Sequence, residues 1–466
     1  MGVCAMGRPG LHHLARVQED LHGRMDRPGR HRRTRCAATR PATRRRRGAT
    51  GVPEAPVNPT MTQAPPARLQ PVPPIAAKVD TALAVMDAEL DWLLALNPLG
   101  TDALWQEFDA SRRRHVSPLR YADPVVDLTA LRRRLLDLPV DEIESPLLAG
   151  VLAEKQRELD RTIELVRLRG TDGFIGASID LFGGVEAGLL ALARQILADV
   201  GSGDPLPADT GVDAVVAAVE EEVDWYRTQA PDFELEVVVN ADVGSLMMVS
   251  HGKLYLDLHL RLPDARLQPL VQHEVGTHVV TYYNGSRQPL RQMAVGLAHY
   301  DPLQEGLGVL AEYLAGYLPG ERLRILAARV VAADMAIHRN GIPEIFACLH
   351  DEHGFSTDDA FDVAVRAQRG GGLTKDAVYL RGLRDLLDDL RNGGDFESLF
   401  AGKFALSHRV VIEQLLEAGW ATPPALLPRY TRAPGFPAAL ERCRRLGVAG
   451  LYHAHPEPLP VQDSAP

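Results

Sequence analysis

The feature that most constrains this 466-residue chain is the segment Gln272–His278, in which two histidines flank a glutamate. A second acid, Glu305, follows 27 residues after the second histidine. Catalytic zinc uses three protein ligands and one open position, and imidazole with carboxylate is a common ligand set. His273, His278 and Glu305 supply that set, so the pattern predicts a zinc site.

Glu274, next to the first histidine, is the candidate catalytic residue. A carboxylate in this position can reach a zinc-activated water as general base, which predicts hydrolysis. One alternative is a non-catalytic, zinc-containing regulatory or binding protein, although a structural site needs no base and more often has a fourth ligand. Another is a metal-free helical interaction protein, with structural histidines and Glu305 favoured by a helix dipole.

The two histidines are separated by five residues, whereas the usual zinc helix places them four apart. At about 100° per residue, five steps put His278 about 140° around a regular helix from His273. Two imidazoles so arranged do not meet at one ion. A π-bulge absorbs the extra residue, and Gly276 would ease it. The spacing therefore predicts a bulged helix near Gly276.

The flanking residues predict where the surrounding helices begin and end. Asn284-Gly285 is typical of a helix C-terminus. Asp301, Pro302 and Gln304 form a capping-box pattern, which predicts a helix with Glu305 in its first turn. Glu312 lies seven residues further on the same face, where it either orients a ligand histidine from outside the metal shell or is a solvated glutamate.

A second dense patch extends from Arg366 to Gly382 and contains three consecutive glycines. Glycines allow the backbone to approach a ligand closely, and neighbouring cations suit a carboxylate. We expect this patch to hold the terminal carboxylate of a substrate or to stabilise the oxyanion, with the tyrosine as a donor. The substrate-binding candidates are Arg366, Arg369, Lys375 and Tyr379. The alternative is a loop that caps two helices and carries solvated charges.

Apolar residues at three- and four-residue spacing predict a largely helical chain. The predicted helices before the histidines are 76–97, 104–114, 128–138, 147–169, 185–200 and 212–226. Alternating patterns over 233–239 and 246–258, with a turn at His251-Gly252, predict two or three antiparallel strands. The expected fold class is α+β, predominantly helical, with a small antiparallel sheet and an N-terminal helical annex.

Composition divides the chain into four predicted parts. Residues 1–75 form a disordered Arg/Pro-rich extension, 76–205 the helical annex, 206–430 the catalytic domain and 431–466 a loose C-terminal tail. Helices are expected to dominate to about Leu427. The arginine-rich stretch is alternatively upstream of a true start at Met61.

Charge and cysteine content exclude several classes of protein. Residues 1–50 hold thirteen arginines and three acids, so the rest of the chain carries −20 and the whole −10, which argues against a nucleic-acid partner. No stretch approaches the roughly 18 apolar residues of a membrane span. Four scattered cysteines predict free thiols and a cytoplasmic location.

Three motifs taken together resemble a known family: HEVGTH, LQEGLGVLAEYL and RGGGLTKDAVYLRGL. They are similar to the bacterial QEGLA-motif proteins, labelled flavohaemoglobin expression-modulating, whose animal relatives are the MATCAP tyrosine carboxypeptidases. The resemblance covers roughly residues 76–430. This chain has Gly308 where the family has alanine, and Gln368 where an aromatic is more usual, but neither change removes a ligand.

The resemblance implies a zincin-like catalytic core with an HExxxH helix. His273, His278 and Glu305 would be the Zn²⁺ ligands and Glu274 the catalytic base. We therefore expect a cytoplasmic zinc metallopeptidase, carboxypeptidase-like, whose partner is the C-terminus of a peptide or protein substrate.

Overall fold

The computed structural model describes residues 69–456, apart from 202, 204, 205, 241–245 and 251. The predicted disorder of the arginine-rich extension, the start at Met61 and the last ten residues lie outside the described residues. What is described is mostly helical with two small sheets, which confirms the predicted α+β class.

The elements before the two histidines form a helical N-terminal part, which is followed by a short part that contains the strands. The helices are α1 (Pro74–Glu89), α2 (Trp92–Ala95), α3 (Thr101–Ala110), α4 (Leu128–Leu136), α5 (Pro146–Arg167), α6 (Phe174–Phe182), α7 (Ala187–Asp199) and α8 (Val212–Arg227). The strands are β1 (Thr210–Gly211), β2 (Glu236–Asn240), β3 (Met247–Ser250), β4 (Lys253–Asp257) and β5 (Arg261–Leu262).

The later elements are helical and include two π-helical stretches. The helices are α9 (Leu267–Val271), α10 (Val280–Ser286), α11 (Gln292–Val295), α12 (Asp301–Leu314), α13 (Gly320–Ile337), α14 (Ile342–Ala347), α15 (Thr357–Gln368), α16 (Val378–Arg391), α17 (Arg409–Glu417) and α18 (Phe436–Arg445). We call the two π-helical stretches the histidine π-segment (Gln272–Val279) and the cysteine π-segment (Cys348–Glu352).

The N-terminal helices follow the apolar periodicity with two exceptions. The predicted helix 76–97 is two helices, because the chain breaks at Leu90 and the Asp91 carboxylate caps α2 by accepting a hydrogen bond from Leu94 N at 3.2 Å. Helix α6 was not predicted, since the glycines on either side of it suggested a loop. Its Phe174 is fully buried, so packing stabilises a helix that local sequence does not announce.

The sheet beside the histidine helix is mixed. Strands β3 and β4 form the predicted antiparallel hairpin, with Gly252 at φ +76° in the turn, and His251 lies outside the described residues. The prediction of an all-antiparallel sheet is wrong for β2, which pairs parallel to β4 from Glu236 opposite Lys253 to Asn240 opposite Asp257. Strands β1 and β5 form a separate antiparallel pair.

Two hydrophobic cores meet at the metal-ligand candidates. The smaller contains α8, β4 and the valines Val271, Val275 and Val279 of the histidine helix. The larger joins the N-terminal helices to α12, α13 and α16. Burying each such side chain stabilises the fold by about 1.5–3 kcal/mol. The domain boundary near residue 205 stays a prediction, while the larger core spans it.

Helices α12 and α16 touch at a pair of glycines. A Cβ on Gly306 would lie 2.6 Å from the backbone carbon of Gly382, and one on Gly382 only 1.7 Å from the carbonyl oxygen of Pro302. No larger residue fits either position without moving a backbone. The glycines of two sequence motifs therefore serve one helix crossing.

The region after Leu427 is more ordered than predicted. Helix α18 spans Phe436–Arg445, and Cys443 is fully buried in the larger core. Further on, Leu318 N donates to His453 Nδ1 at 3.1 Å and His453 N donates to Leu318 O at 2.8 Å. The prediction of a loose tail is therefore wrong as far as residue 456.

The described residues bear on two predictions from composition, which concern membrane spans and free cysteines. No single helix among them is long and apolar enough to cross a membrane, and α6 and α7 meet that criterion only as a pair bent by 89°. Cys348 and Cys443 are free thiols, as predicted, and Cys4 and Cys36 lie outside the described part.

Candidate metal centre

The histidine helix is π-helical over Gln272–Val279, which confirms the bulge predicted from the five-residue spacing. The wider turn brings His273 and His278 to one side, with ring centroids 5.1 Å apart. Thr277 Oγ1 donates to the carbonyl of Gln272 at 3.1 Å, and a Cβ on Gly276 would lie 2.5 Å from Gln272 Oε1. Because Gly276 has no side chain, there is room for the side-chain amide of Gln272.

The predicted helix end at Asn284-Gly285 is early, since α10 continues to Ser286. Asn284 Nδ2 instead donates to the carbonyls of Phe400 and Leu426, both at 2.8 Å. A Cβ on Gly285 would lie 2.2 Å from Met293 O. This dipeptide therefore fastens the histidine helix to neighbouring loops.

The three predicted ligands come together. One ligand atom each from His273, His278 and Glu305 lie within 4.8 Å of one another. Zinc bonds to such atoms measure about 2.0–2.2 Å, and a nitrogen, nitrogen and oxygen set suits that ion, so the residues fit Zn²⁺ after a small inward adjustment. The two histidines come from the π-segment and Glu305 from α12.

The predicted capping box at Asp301 is wrong. Helix α12 starts at Asp301 itself, after Tyr300, and has no side-chain cap. The Asp301 carboxylate instead accepts a hydrogen bond from Lys375 Nζ at 2.9 Å. Glu305 consequently lies one residue beyond the first turn, where it faces the histidines.

Glu312 of α12 is fully buried and lies 2.9 Å from His273 Nδ1, so the alternative of a solvated glutamate is wrong. Burial acts to raise the pKa of Glu312, but Arg322 and His273 outweigh it and lower the value to about 2. An ionised carboxylate at this distance accepts the Nδ1 proton of His273. In the neutral form of His273 the Nε2 lone pair then remains available to a metal.

His278 also has a partner on α12, the helix that carries Glu312. Its Nδ1 lies 3.5 Å from Gln304 Oε1, and Gln304 is buried. Burial, followed by the charges of His273 and Lys403, holds the pKa of His278 well below its usual range. The imidazole is therefore neutral, as a metal ligand must be.

Gly308 makes room for the other histidine. A Cβ at this position would lie 2.6 Å from His273 Nε2. The side-chain-free position therefore decides how close α12 comes to the His273 ring. Gln304, Glu305, Gly308 and Glu312 show that one face of α12 both completes and orients the ligand set.

Glu274 is buried, 8% exposed, beside these ligands. Burial raises its pKa to about 7, with the charges of Glu305 and Glu312 adding to the effect and His273 opposing it. A carboxyl group with this pKa can take up and release a proton near neutrality.

The two arginines predicted to bind substrate differ in their partners. Arg366 makes a two-pronged ion pair with Asp376, at 2.6 and 2.9 Å, and that pair lowers the pKa of Asp376 below its usual range against the effect of burial. Arg369 Nε is buried and has no hydrogen-bond partner among the described residues. The glycines pack rather than bind: a Cβ on Gly370 would lie 2.1 Å from the Phe174 ring.

Lys375 and Tyr379 lie within electrostatic reach of Glu305, one of the ligand candidates. Burial acts to lower the pKa of Lys375, but Asp301, Tyr379 and Glu305 outweigh it and raise it. The pKa of Tyr379 is raised to about 12 by burial and by the charge of Glu305, so its hydroxyl stays protonated. Arg366 is therefore paired with Asp376, whereas Tyr379 interacts electrostatically with Glu305. The roles of the four patch residues in substrate binding stay predictions.

A cavity of about 690 Å³ opens beside the start of α12. Asp301, Pro302 and Val378 contribute to its wall, together with α6 residues such as Phe182. The three ligand candidates are not part of its lining. It lies next to the Lys375–Asp301 pair, between helices α5 and α6 on one side and α12 and α16 on the other.

Sequence reasoning missed several residues that shape the centre. Gln304 was considered only as part of a cap, and Lys403 not at all. Arg322 and Arg266 lie 3.4 and 3.5 Å from the carboxylate of Glu312 and keep it charged. Of these residues, only Gln304 could have been found from the sequence, because it is adjacent to Glu305. The others come close to the centre only through folding.

Comparisons with known proteins relate this chain to one family. Residues 106–447 match the family described as microtubule-associated tyrosine carboxypeptidase, MATCAP. Microtubule-associated tyrosine carboxypeptidase 1 of Mus musculus is 29% identical over 231 residues, and that of Rattus norvegicus 30% over 230 residues. Each match covers 46% of this chain and 45% of the relative, so the chain spans less than half the length of these curated relatives.

One solved structure, a putative lipoprotein from Colwellia psychrerythraea, aligns with 68% of this chain and 66% of its own. Its TM-score of 0.35 and 12% identity are too low to support any argument.

The family match includes all three ligand candidates, Glu274 and the second patch, and it extends over well more than half of the chain. The relation to the MATCAP carboxypeptidases is confirmed, while the link to the bacterial QEGLA-motif proteins stays a prediction. The chain belongs to the microtubule-associated tyrosine carboxypeptidase family.

Proposed function

We propose that this protein is a zinc-dependent metallopeptidase that hydrolyses a peptide bond near the C-terminus of a peptide or protein. The observation that carries the proposal is the buried Glu274 beside His273, His278 and Glu305, whose ligand atoms lie within 4.8 Å of one another. Membership of a family named for carboxypeptidase activity supports the choice of bond.

His273, His278 and Glu305 would hold the ion, with Glu312 and Gln304 orienting the imidazoles. Zn²⁺, when bound, supplies Lewis acidity: it lowers the pKa of water and polarises a carbonyl. A structural zinc site would more often have four protein ligands and would need no base. Three ligands and an adjacent buried carboxyl favour catalysis.

Glu274 would take the proton from the attacking water and pass it to the leaving amine. Its pKa of about 7 suits both steps, because a group near the working pH is a competent base before attack and a competent acid afterwards. Tyr379, protonated and within electrostatic reach of Glu305, can donate its O–H to the carbonyl oxygen as negative charge develops.

The test is metal analysis of the purified protein beside a Glu274→Gln variant, with activity measured on a library of C-terminal peptides. We expect one zinc per chain in both proteins and a loss of about 10²- to 10⁴-fold in activity in the variant. Glu220→Gln, at an exposed position of α8, is the matched control and should behave as wild type.

The other outcomes separate the alternatives. Zinc in both proteins without turnover in either supports a regulatory or binding protein. Protein without zinc, after purification in zinc-containing buffer, removes the basis of the metallopeptidase proposal.

A further inference from the structure

The loop after Phe400 is held rigidly against the helix that carries the histidines. Asn284 donates to the carbonyl of Phe400 at 2.8 Å, and Gln288 donates to that of Ala401 at 2.9 Å. Lys403 N donates to Met293 O at 2.7 Å, and its carbonyl accepts from Leu297 N at 2.9 Å. These four bonds fix the backbone from which the Lys403 side chain extends.

The Lys403 ammonium lies between the elements that provide the metal ligands. It is 5.7 Å from the centre of the Tyr282 ring and 5.6 Å from that of Tyr300. Tyr282 is four residues beyond His278, and Tyr300 is five before Glu305. The lysine charge contributes to the low pKa of His278, after burial and His273, so the ammonium lies within electrostatic reach of that ring.

Three lysines surround Tyr300 and the start of α12, and they differ in their partners. Lys155 Nζ pairs with Asp87 at 3.1 Å and Glu158 at 2.8 Å. Lys375 pairs with Asp301 at 2.9 Å. Lys403 makes no ion pair with any carboxylate of the described residues, and its ammonium lies 5.7 and 5.6 Å from the rings of Tyr282 and Tyr300.

An unpaired, half-buried ammonium is costly, because burial penalises its charged form. Burial accordingly lowers the pKa of Lys403, while Asp301 and Glu305 partly oppose the effect. An anion entering this place would gain a charge-assisted hydrogen bond and remove that cost. The site therefore favours a ligand with a negative charge close to the metal ligands.

We propose that Lys403 binds the free α-carboxylate of the substrate's last residue. This inference rests on the proposed function and names the group that restricts it to chain ends. A terminal carboxylate is one residue beyond the scissile bond, within about 3.6 Å of extended chain, so its anchor must lie near the ligands. Arg366 and Lys375 are less suitable anchors, since Asp376 and Asp301 already neutralise them.

The experiment uses two peptides of identical sequence, one with a free C-terminal carboxylate and one with a C-terminal amide. Wild-type protein should prefer the free acid. Lys403→Met should lower kcat/KM for the acid by about 30-fold, mainly through KM, with little change for the amide. Lys403→Arg, which keeps the charge, should retain most of the preference.

Lys78→Met removes a lysine from an exposed position of α1 and is the matched control. It should leave the preference for the acid unchanged. Zinc content and thermal unfolding of every variant are measured alongside, so that loss of the metal or of the fold is distinguished from loss of the anchor. Lys403→Gln serves if the methionine variant does not fold.

A second readout does not need turnover. Calorimetric titration of the acid and amide peptides into Glu274→Gln protein should show tighter binding of the acid, and adding Lys403→Met should abolish the difference. An unchanged difference in a zinc-loaded Lys403→Met protein overturns the inference. Wild-type protein that hydrolyses neither peptide counts against the proposed function, and the titration still decides whether Lys403 recognises a carboxylate.

Discussion

The described residues contain two π-helical segments, and each brings three potential metal-ligand side chains within 4.8 Å of one another. Beside the histidine π-segment the third ligand candidate, Glu305, comes from another helix. Beside the cysteine π-segment the third candidate is His353, which directly follows Glu352 in the chain. The same backbone distortion thus produces two sites that look alike by distance alone.

The surroundings of the two segments differ. His273 is 5% exposed and is oriented by a carboxylate that is fully buried. Glu352 is exposed, and among the described residues no hydrogen bond or ion pair orients its carboxylate or the His353 ring. A π-turn therefore groups side chains, but a second helix is needed to orient them and provide a neighbouring base.

The largest expected difference concerns metal binding itself. His278→Ala removes one of three ligands, which at about a third of a binding free energy of 10–16 kcal/mol is about 4 kcal/mol, or about a thousand-fold in zinc affinity. His353→Ala should leave zinc content unchanged. Metal analysis after dialysis measures both, and an equal loss in the two variants would make the cysteine π-segment a metal site of the same rank.

The next effect tests the orienting carboxylate. Glu312→Gln should weaken zinc binding by about 10- to 100-fold, as is typical of a group that holds a ligand histidine. Glu352→Gln is its counterpart on the other segment and should have no effect. Competition with a chromophoric chelator gives both affinities, and an unaltered affinity in Glu312→Gln would mean that the π-turn alone orients His273.

Another effect concerns how the stability of the metal-free protein depends on pH. The pKa of Glu274 is about 7 in the folded protein against 4.5 as its ordinary value, so the folded state binds the proton more tightly. Its contribution to the free energy of unfolding therefore falls as pH rises from about 4.5 to about 7. Glu274→Gln should abolish this fall and be about 3 kcal/mol more stable than wild type at pH 8.

Urea unfolding at a series of pH values measures that difference. Saturating zinc is the control, because a nearby cation favours the ionised carboxylate and should flatten the wild-type curve. Parallel curves for the metal-free wild type and variant would show that Glu274 titrates as it does in the unfolded chain.

The smallest expected effect is at Gly308. A methyl group there would press on His273 Nε2 and displace the ring, which should cost about 1 kcal/mol, or about five-fold in zinc affinity. Gly150→Ala, in α5 with open space around it, is the control and should be neutral. A zinc affinity in Gly308→Ala equal to that of wild type would show that the ring has room to adjust.

The sequence predicted the bulge because helical periodicity is fixed geometry: two histidines five residues apart cannot share an ion on a regular helix. It also predicted most helices from their apolar spacing. Strand direction was not predictable, since alternation indicates that β2 is a strand but not which strand it pairs with or in which direction. Asp301 was misassigned because a capping pattern takes no account of Lys375, 74 residues away.

Long-range contacts explain the other omissions. Lys403 follows His278 by 125 residues and lies near it only because Asn284 and Gln288 hold the intervening loop. Helix α6 owes its existence to the burial of Phe174, which no local pattern records. The residues that come together as ligand candidates were therefore accessible from sequence, whereas their charge partners required the tertiary structure.

The glycine crossing of α12 and α16 has a consequence for how this chain can vary. Gly306 and Gly382 leave no space between the two backbones, so Glu305 has a fixed position relative to a helix that holds no ligand. A side chain acquired at Gly382 would wedge the helices apart and move Glu305 away from the histidines. A random screen for inactive variants should therefore recover substitutions at position 382 with every metal-binding residue intact.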